Sequence, residues 1–321
     1  MNGPPGLGRW ILVSVGLPLL GLGSLAVWAA IADRLRRGEP IVPYERRSQV
    51  PWQGLHLLLV VLIFLALGGL SEVLGLGRLA ATHESSQPAG AAKARSAEPA
   101  RPRREHPLLI ALEKGRTPTK VALAVLLAAV VAPVTEEIFF RLLLQGWLEK
   151  VEMLARRRVR SLRKLVPGLL PVLGIALVFA MMHFRTARPV GDREALFWAL
   201  TFQGAVSLST AVLAVWLVRA TAGATADDLG WAPERLWPDV RLGLLAFLAA
   251  GPPVYLIQLL MNLVLPSNVA ADPVALFFFT LVLGLLYLRT HRIVPSVVLH
   301  VALNGTSLAM FLVCQGGQWG G

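Results

Sequence analysis

The 321-residue chain is poor in the groups that stabilise or decorate soluble proteins. It has one cysteine, Cys314, so no disulfide can form within the chain and no cysteine-based zinc site exists. Only 16% of its residues are charged, where a soluble domain carries about a quarter. There is no HExxH pair and no GxSxG elbow, which excludes the zincin and serine-hydrolase arrangements. Acidic residues are few, and a net charge of +12 results. Nucleic acid is nevertheless not the expected partner: arginine supplies nearly all the positive charge, and it lies between apolar blocks rather than on one compact domain.

What is abundant is apolar sequence. Hydrophobic residues make up 55% of the chain and mean hydropathy is +0.62. They arrive in blocks long enough to cross about 30 Å of hydrocarbon. Eight spans are expected, over 10–32, 53–76, 120–147, 168–186, 195–218, 241–265, 272–289 and 293–314. The runs are continuous rather than alternating, and only helices or closed barrels satisfy backbone groups in lipid. The fold expected is therefore all-α, a polytopic transmembrane helical bundle embedded in a cell membrane. Arg9 and the small-residue sequence Ala30-Ile31-Ala32 resemble parts of a leader, but the first apolar run is long for one and reads as an uncleaved span. Trp10, Trp52, Trp147 and Trp237 near span ends read as interfacial anchors.

Three regions follow: spans over 1–81, a low-complexity disordered or surface linker over 82–118, and a core over 119–321. The basic stretch 149–166 can form a short helix on anionic headgroups. Lys and Arg total 17 on the side of the loops after spans one, three, five and seven, against 13 opposite, nine of the latter in or beside the long linker. This places the loop after span three in the cytosol and both termini outside.

Charges inside apolar spans are costly and are functional candidates by default. Span three holds Glu136, Glu137 and Arg141 within six residues. Glu137 and Arg141, four apart, can pair on one helix face. Glu136 lies about 100° round the helix, without a partner in its own span, and a spare carboxylate suits a general base or acid. A structural Glu–Arg clamp is the plainer reading of the pair, but a clamp does not need the second glutamate. Span four contributes His183, and span eight contributes His300 and Asn304, again four apart and on one face. A lone intramembrane histidine is most often a core residue; two histidines, an amide and an acidic pair on three spans form a constellation. Glu136 and His183 could activate a water, directly or through a metal, while His300 and Asn304 present oxyanion donors.

Glu136-Glu137-xxx-Arg141, Phe179-xxx-His183 and His300-xxx-Asn304 resemble, in order, the three signature motifs of the CAAX-protease and bacteriocin-processing (CPBP) family of intramembrane proteases. The run from Leu283 to His300 also resembles that family's last two helices. The resemblance implies hydrolysis of peptide bonds in membrane-anchored peptides or proteins. Glu136 and His183 would activate water, His300 and Asn304 would stabilise the oxyanion, and Glu137 and Arg141 would hold the geometry. It leaves open whether glutamate acts alone or with a divalent metal such as zinc, for which Glu136, His183 and His300 are the candidate ligands. One departure stands out: the block Ala226–Trp231 and the span after it resemble a segment that usually precedes the Glu-Glu motif, so spans 195–265 read as displaced. Two other functions fit intramembrane charge: a non-catalytic scaffold or immunity-type protein, and a proton-coupled transporter. The second would favour an internal repeat with broken helices; only Gly251-Pro252-Pro253 suggests a break.

Overall fold

The computed structural model describes residues 10–46, 49–73, 117–183, 193–265 and 272–315. Among them every regular element is helical. Eight helices organise the bundle: α1 Leu17–Arg36, α2 Gly54–Val73, α3 Pro118–Arg158, α4 Leu169–Met182, α5 Arg193–Ala222, α6 Leu236–Val264, α7 Asp272–Thr290 and α8 Ile293–Gln315. Six are long and apolar enough to cross a membrane; the apolar parts of α2 and α4 are shorter. Each of the eight expected spans overlaps one of these helices, six of which are long enough to cross. The expected linker, through residue 116, and residues 184–192 and 266–271 lie outside the described residues.

α3 begins where the Thr117 side chain accepts a hydrogen bond from Lys120 N (3.3 Å), with Pro118 at the first helical position. It then runs for 41 residues. At about 1.5 Å per residue this is near twice the hydrocarbon thickness, so its polar end stands beyond the apolar layer. The basic stretch is accordingly not a separate helix. It is the last turns of α3 followed by a 3₁₀ turn at Arg160–Lys164. Arg163 folds back to donate to Arg156 O and Arg157 O (2.8 and 2.9 Å), satisfying carbonyls at the helix end. Within α3 the winding loosens to π geometry at Leu127–Val131 and Ile138–Gln145. Such wide turns commonly mark functional sites because they shift side chains relative to the α-helical register.

α4 starts at Gly168, whose φ of +79° only glycine adopts readily, and a Cβ there would lie 2.3 Å from the Leu288 side chain. α7 and α8 are joined by His291-Arg292 alone, a tight turn with His291 at φ +50°. His291 Nδ1 donates to Glu45 O (2.9 Å), and Arg292 bridges Glu45 and Asp239 (2.9 Å to each). These bonds pin the turn to the loop before α2 and to the start of α6.

Packing sets the site. α4 lies along α7, and α6 lies along α8 with further contact to α7 and α1. α5 rests on α2, and α3 threads the centre, touching α4, α5, α7 and α8. The two helices of the 195–265 segment therefore find their main neighbours apart from each other. Outward, Leu55, Leu58, Leu62 and Leu65 stand exposed along α2, an apolar face that a bilayer covers. Trp52 departs from the anchor reading. It is fully buried and donates Nε1–H to Leu143 O at 3.0 Å, inside the π stretch of α3. That carbonyl also accepts from Gly146 N–H, and the indole takes its second lone pair.

Candidate active site

The apolar interior gathers a small set of polar groups where α3, α4 and α8 meet. Glu137 and Arg141 are fully buried and pair at 3.3 Å (Arg141 Nε to Glu137 Oε2). The expected pairing across four residues holds even though the backbone between them is π-wound. Glu137 uses its other oxygen for α8: its Oε1 lies 2.9 Å from His300 Nδ1. A carboxylate flanked by an arginine and an imidazole has both oxygens engaged, which is how a buried charge is tolerated.

His300 faces carboxylates from both nitrogens. Its Nε2 lies 3.7 Å from Glu136 Oε2, so the imidazole bonds Glu137 and faces Glu136 across a gap longer than a hydrogen bond. Phe279 of α7 packs its ring against His300 in an edge-on contact, with centroids 5.1 Å apart. The two glutamates differ sharply in setting. Glu137 is sealed, while the Glu136 side chain is 29% exposed and is the accessible carboxylate of the pair. The roughly 100° between consecutive helical residues produces that split.

His183 closes α4 at its C-terminal end. A 14-residue helix spans about 21 Å, shorter than the bilayer's hydrocarbon. His183 Nδ1 lies 2.8 Å from Phe179 O. A carbonyl only accepts, so Nδ1 carries the proton and Nε2 is left with a free lone pair. The Phe179 ring stacks on the imidazole (4.3 Å, 24°) and also contacts Phe140 and His300 edge-on. The Phe of the expected Phe-xxx-His motif thus orients the histidine. Glu136 lies within electrostatic reach of both His183 and His300.

Asn304, one turn beyond His300, donates Nδ2–H to Ala128 O at 3.1 Å, in the other π stretch of α3. One N–H of the amide is engaged and the second has no partner among the described residues. The structure therefore brings Glu136, Glu137, Arg141, His183, His300 and Asn304 to one locality from three helices.

For a metal, Glu136, His183 and His300 are the residues that would supply donors. Of the His300 nitrogens, Nδ1 is engaged by Glu137 at 2.9 Å, while Nε2 lies 3.7 Å from Glu136 Oε2, beyond hydrogen-bond length, and faces that carboxylate without bonding it. Among the described residues no group of three His, Cys, Asp or Glu is placed to hold one. Sequence reasoning missed three residues that shape the site: Phe279 against His300, Gln145 below Arg141, and Ser296 one turn before His300. Gln145 had a legible signal, since it continues the four-residue stripe Glu137–Arg141.

A family model described as type II CAAX prenyl endopeptidase Rce1-like matches residues 118–306, more than half of the chain. The match begins at the first residue of α3 and ends two residues beyond Asn304. No curated protein and no solved structure matches the chain.

Proposed function

Because the chain belongs to the type II CAAX prenyl endopeptidase Rce1-like family, and is thereby a multi-pass membrane protein of a peptidase family, we propose that it cleaves membrane-anchored peptides with a water activated by Glu136 and His183. The observation that carries the reading is the asymmetry of the glutamate pair. Glu137 is sealed between Arg141 and His300, while Glu136 is accessible and has His300 Nε2 behind it at 3.7 Å.

In the proposed reaction the water sits between Glu136 and the free Nε2 of His183. Glu136 accepts a proton as the water oxygen attacks the scissile carbonyl carbon, and the carbonyl π electrons move to oxygen. The second N–H of Asn304 donates to that oxyanion. Collapse breaks the C–N bond, and the proton on Glu136 passes to the leaving amine. His300 bonds Glu137 and faces Glu136, and the Glu137–Arg141 pair fixes His300 in turn. A side chain held this way loses little freedom on reaching the reactive geometry. Every step uses groups of the chain; were a divalent cation bound, Glu136, His183 Nε2 and His300 Nε2 would hold it, and it would supply Lewis-acid activation of the water.

The test is cleavage of a library of membrane-anchored peptides by the protein in liposomes, read by mass spectrometry. Wild type should cut and Glu136→Gln should not, since the amide cannot take the proton. Activity that survives Glu136→Gln sinks the mechanism. Activity lost to a chelator and restored by zinc would replace it with the metal-dependent form. Folded wild type that cuts nothing would favour a scaffold.

A further inference from the structure

The polar face of α3 continues past the glutamate centre. Glu137, Arg141, Gln145 and Glu149 follow at intervals of four; the first three are fully buried, and the Glu149 side chain is 15% exposed. Phe140, Leu142 and Leu143 interleave them. Two other helices add buried polar groups at matching heights. Gln145 Nε2 donates to Glu149 Oε1 and to Gly284 O of α7, each at 2.9 Å. One turn nearer the site on α7 is Thr280, fully buried. On α8, fully buried Ser296 donates to Leu283 O (3.4 Å), one turn from His300.

Much of this polar capacity meets no protein partner. Arg141 Nη1 and Nη2, Gln145 Oε1 and Thr280 Oγ1 are buried without a hydrogen bond to any described residue. A buried group left unpaired costs about 1–3 kcal/mol, and a clamp between helices does not need such groups; valine at 280 would avoid one of them. The set comprises donors on Arg141, an acceptor on Gln145 and a hydroxyl that does either. Water is the small molecule that both donates and accepts, and buried water typically joins several such groups. At its far end the stripe reaches solvent. Glu149 Oε2 lies 3.4 Å from His291 Nε2, and both residues line a cleft with Tyr44, Gln49, Lys150 and Glu152.

We infer that this stripe is a water path, running from the cleft at Glu149 and His291 past Gln145, Thr280 and Arg141 to Glu137 and His300. Twelve residues of α3 separate Glu149 from Glu137, about 18 Å. Its purpose rests on the hydrolytic reading, because each bond cut consumes one water inside an apolar bundle. Its existence does not.

Radiolytic hydroxyl-radical footprinting of the full chain in liposomes tests existence without activity. Tyr287 and Phe279 are both fully buried; Tyr287 packs edge-on against His291 and Phe279 against His300. Radicals from bulk solvent do not reach them, so oxidation there reports bound water. Labelling above that of Phe197, buried in a separate cluster, is expected at both. In Thr280→Val, which removes an unpartnered hydroxyl at nearly constant volume, labelling of Phe279 should fall severalfold. The thermal midpoint should hold or rise, and kcat should fall about tenfold at constant KM, as loss of one hydrogen-bonding group along the path implies. Background labelling at both rings in wild type overturns the path. So does a Thr280→Val protein that cuts at the wild-type rate with unchanged labelling. Labelling above background in a wild type that cuts nothing leaves the path standing and fells the hydrolytic reading instead.

Discussion

Removing Arg141 tests how the centre is held. The Arg141 side chain is 0% exposed and its partner Glu137 1%, at 3.3 Å. Arg141→Met keeps much of the length and apolar contact but leaves Glu137 buried with only His300 beside it. Breaking a buried pair from one side typically costs 3–5 kcal/mol, because the remaining charge has lost its compensation. That is a drop of roughly two to three and a half powers of ten in the folding equilibrium constant. Glu137→Gln has a counterpart cost, since the arginine is then stranded. The double variant removes both charges, so it should lie well above the sum of the singles, with a coupling energy of about 2 kcal/mol or more. Unfolding in mixed micelles at several denaturant fractions, followed by tryptophan fluorescence, gives the four stabilities. A coupling below about 0.5 kcal/mol would refute the reasoning, and would mean that the pair is screened by water on its unpartnered side.

Other perturbations probe separate links. Gly168→Ala forces a side chain into positive φ and against Leu288, so the thermal midpoint should drop by an amount equivalent to about 1–3 kcal/mol; no change would mean that the α4 start can rotate. Trp52→Phe removes one of the two donors to Leu143 O, the other being Gly146 N–H, and should cost about 0.5–1.5 kcal/mol, with cleavage largely retained; wild-type stability would show that the indole hydrogen bond contributes nothing. Phe179→Ala opens a cavity beneath the ring stacked on His183. It should lower stability by about 3–5 kcal/mol and reduce cleavage in the surviving folded fraction, measured per active molecule. Retained turnover would remove the phenylalanine as the residue that orients the histidine.

Much of this protein was legible from residue order. The spans are written in continuous apolar blocks whose length the bilayer dictates, and helices are the solution that satisfies their backbones. The charged residues within them are visible by the same contrast: Glu136, Glu137 and Arg141 stand out because their neighbours are apolar. Spacing of four gave the Glu137–Arg141 pair and placed His300 and Asn304 on one face.

Tertiary structure decided what those residues touch. Nothing local tells His300 to face two glutamates of another helix, because that depends on how α8 crosses α3. Nor does spacing show that Asn304 turns one N–H to Ala128, since the need arises from a π turn that sequence does not announce. Trp52 looked like an interfacial residue and is a buried donor, because α2's entry packs against the loosened stretch of α3. The sequence by itself thus determined the solvent, the helices and the chemical inventory, through periodicity and the cost of charge in lipid. Only the packing of α3, α4, α7 and α8 determined which glutamate is sealed and which is open, since burial belongs to the neighbours a residue acquires rather than to the residue.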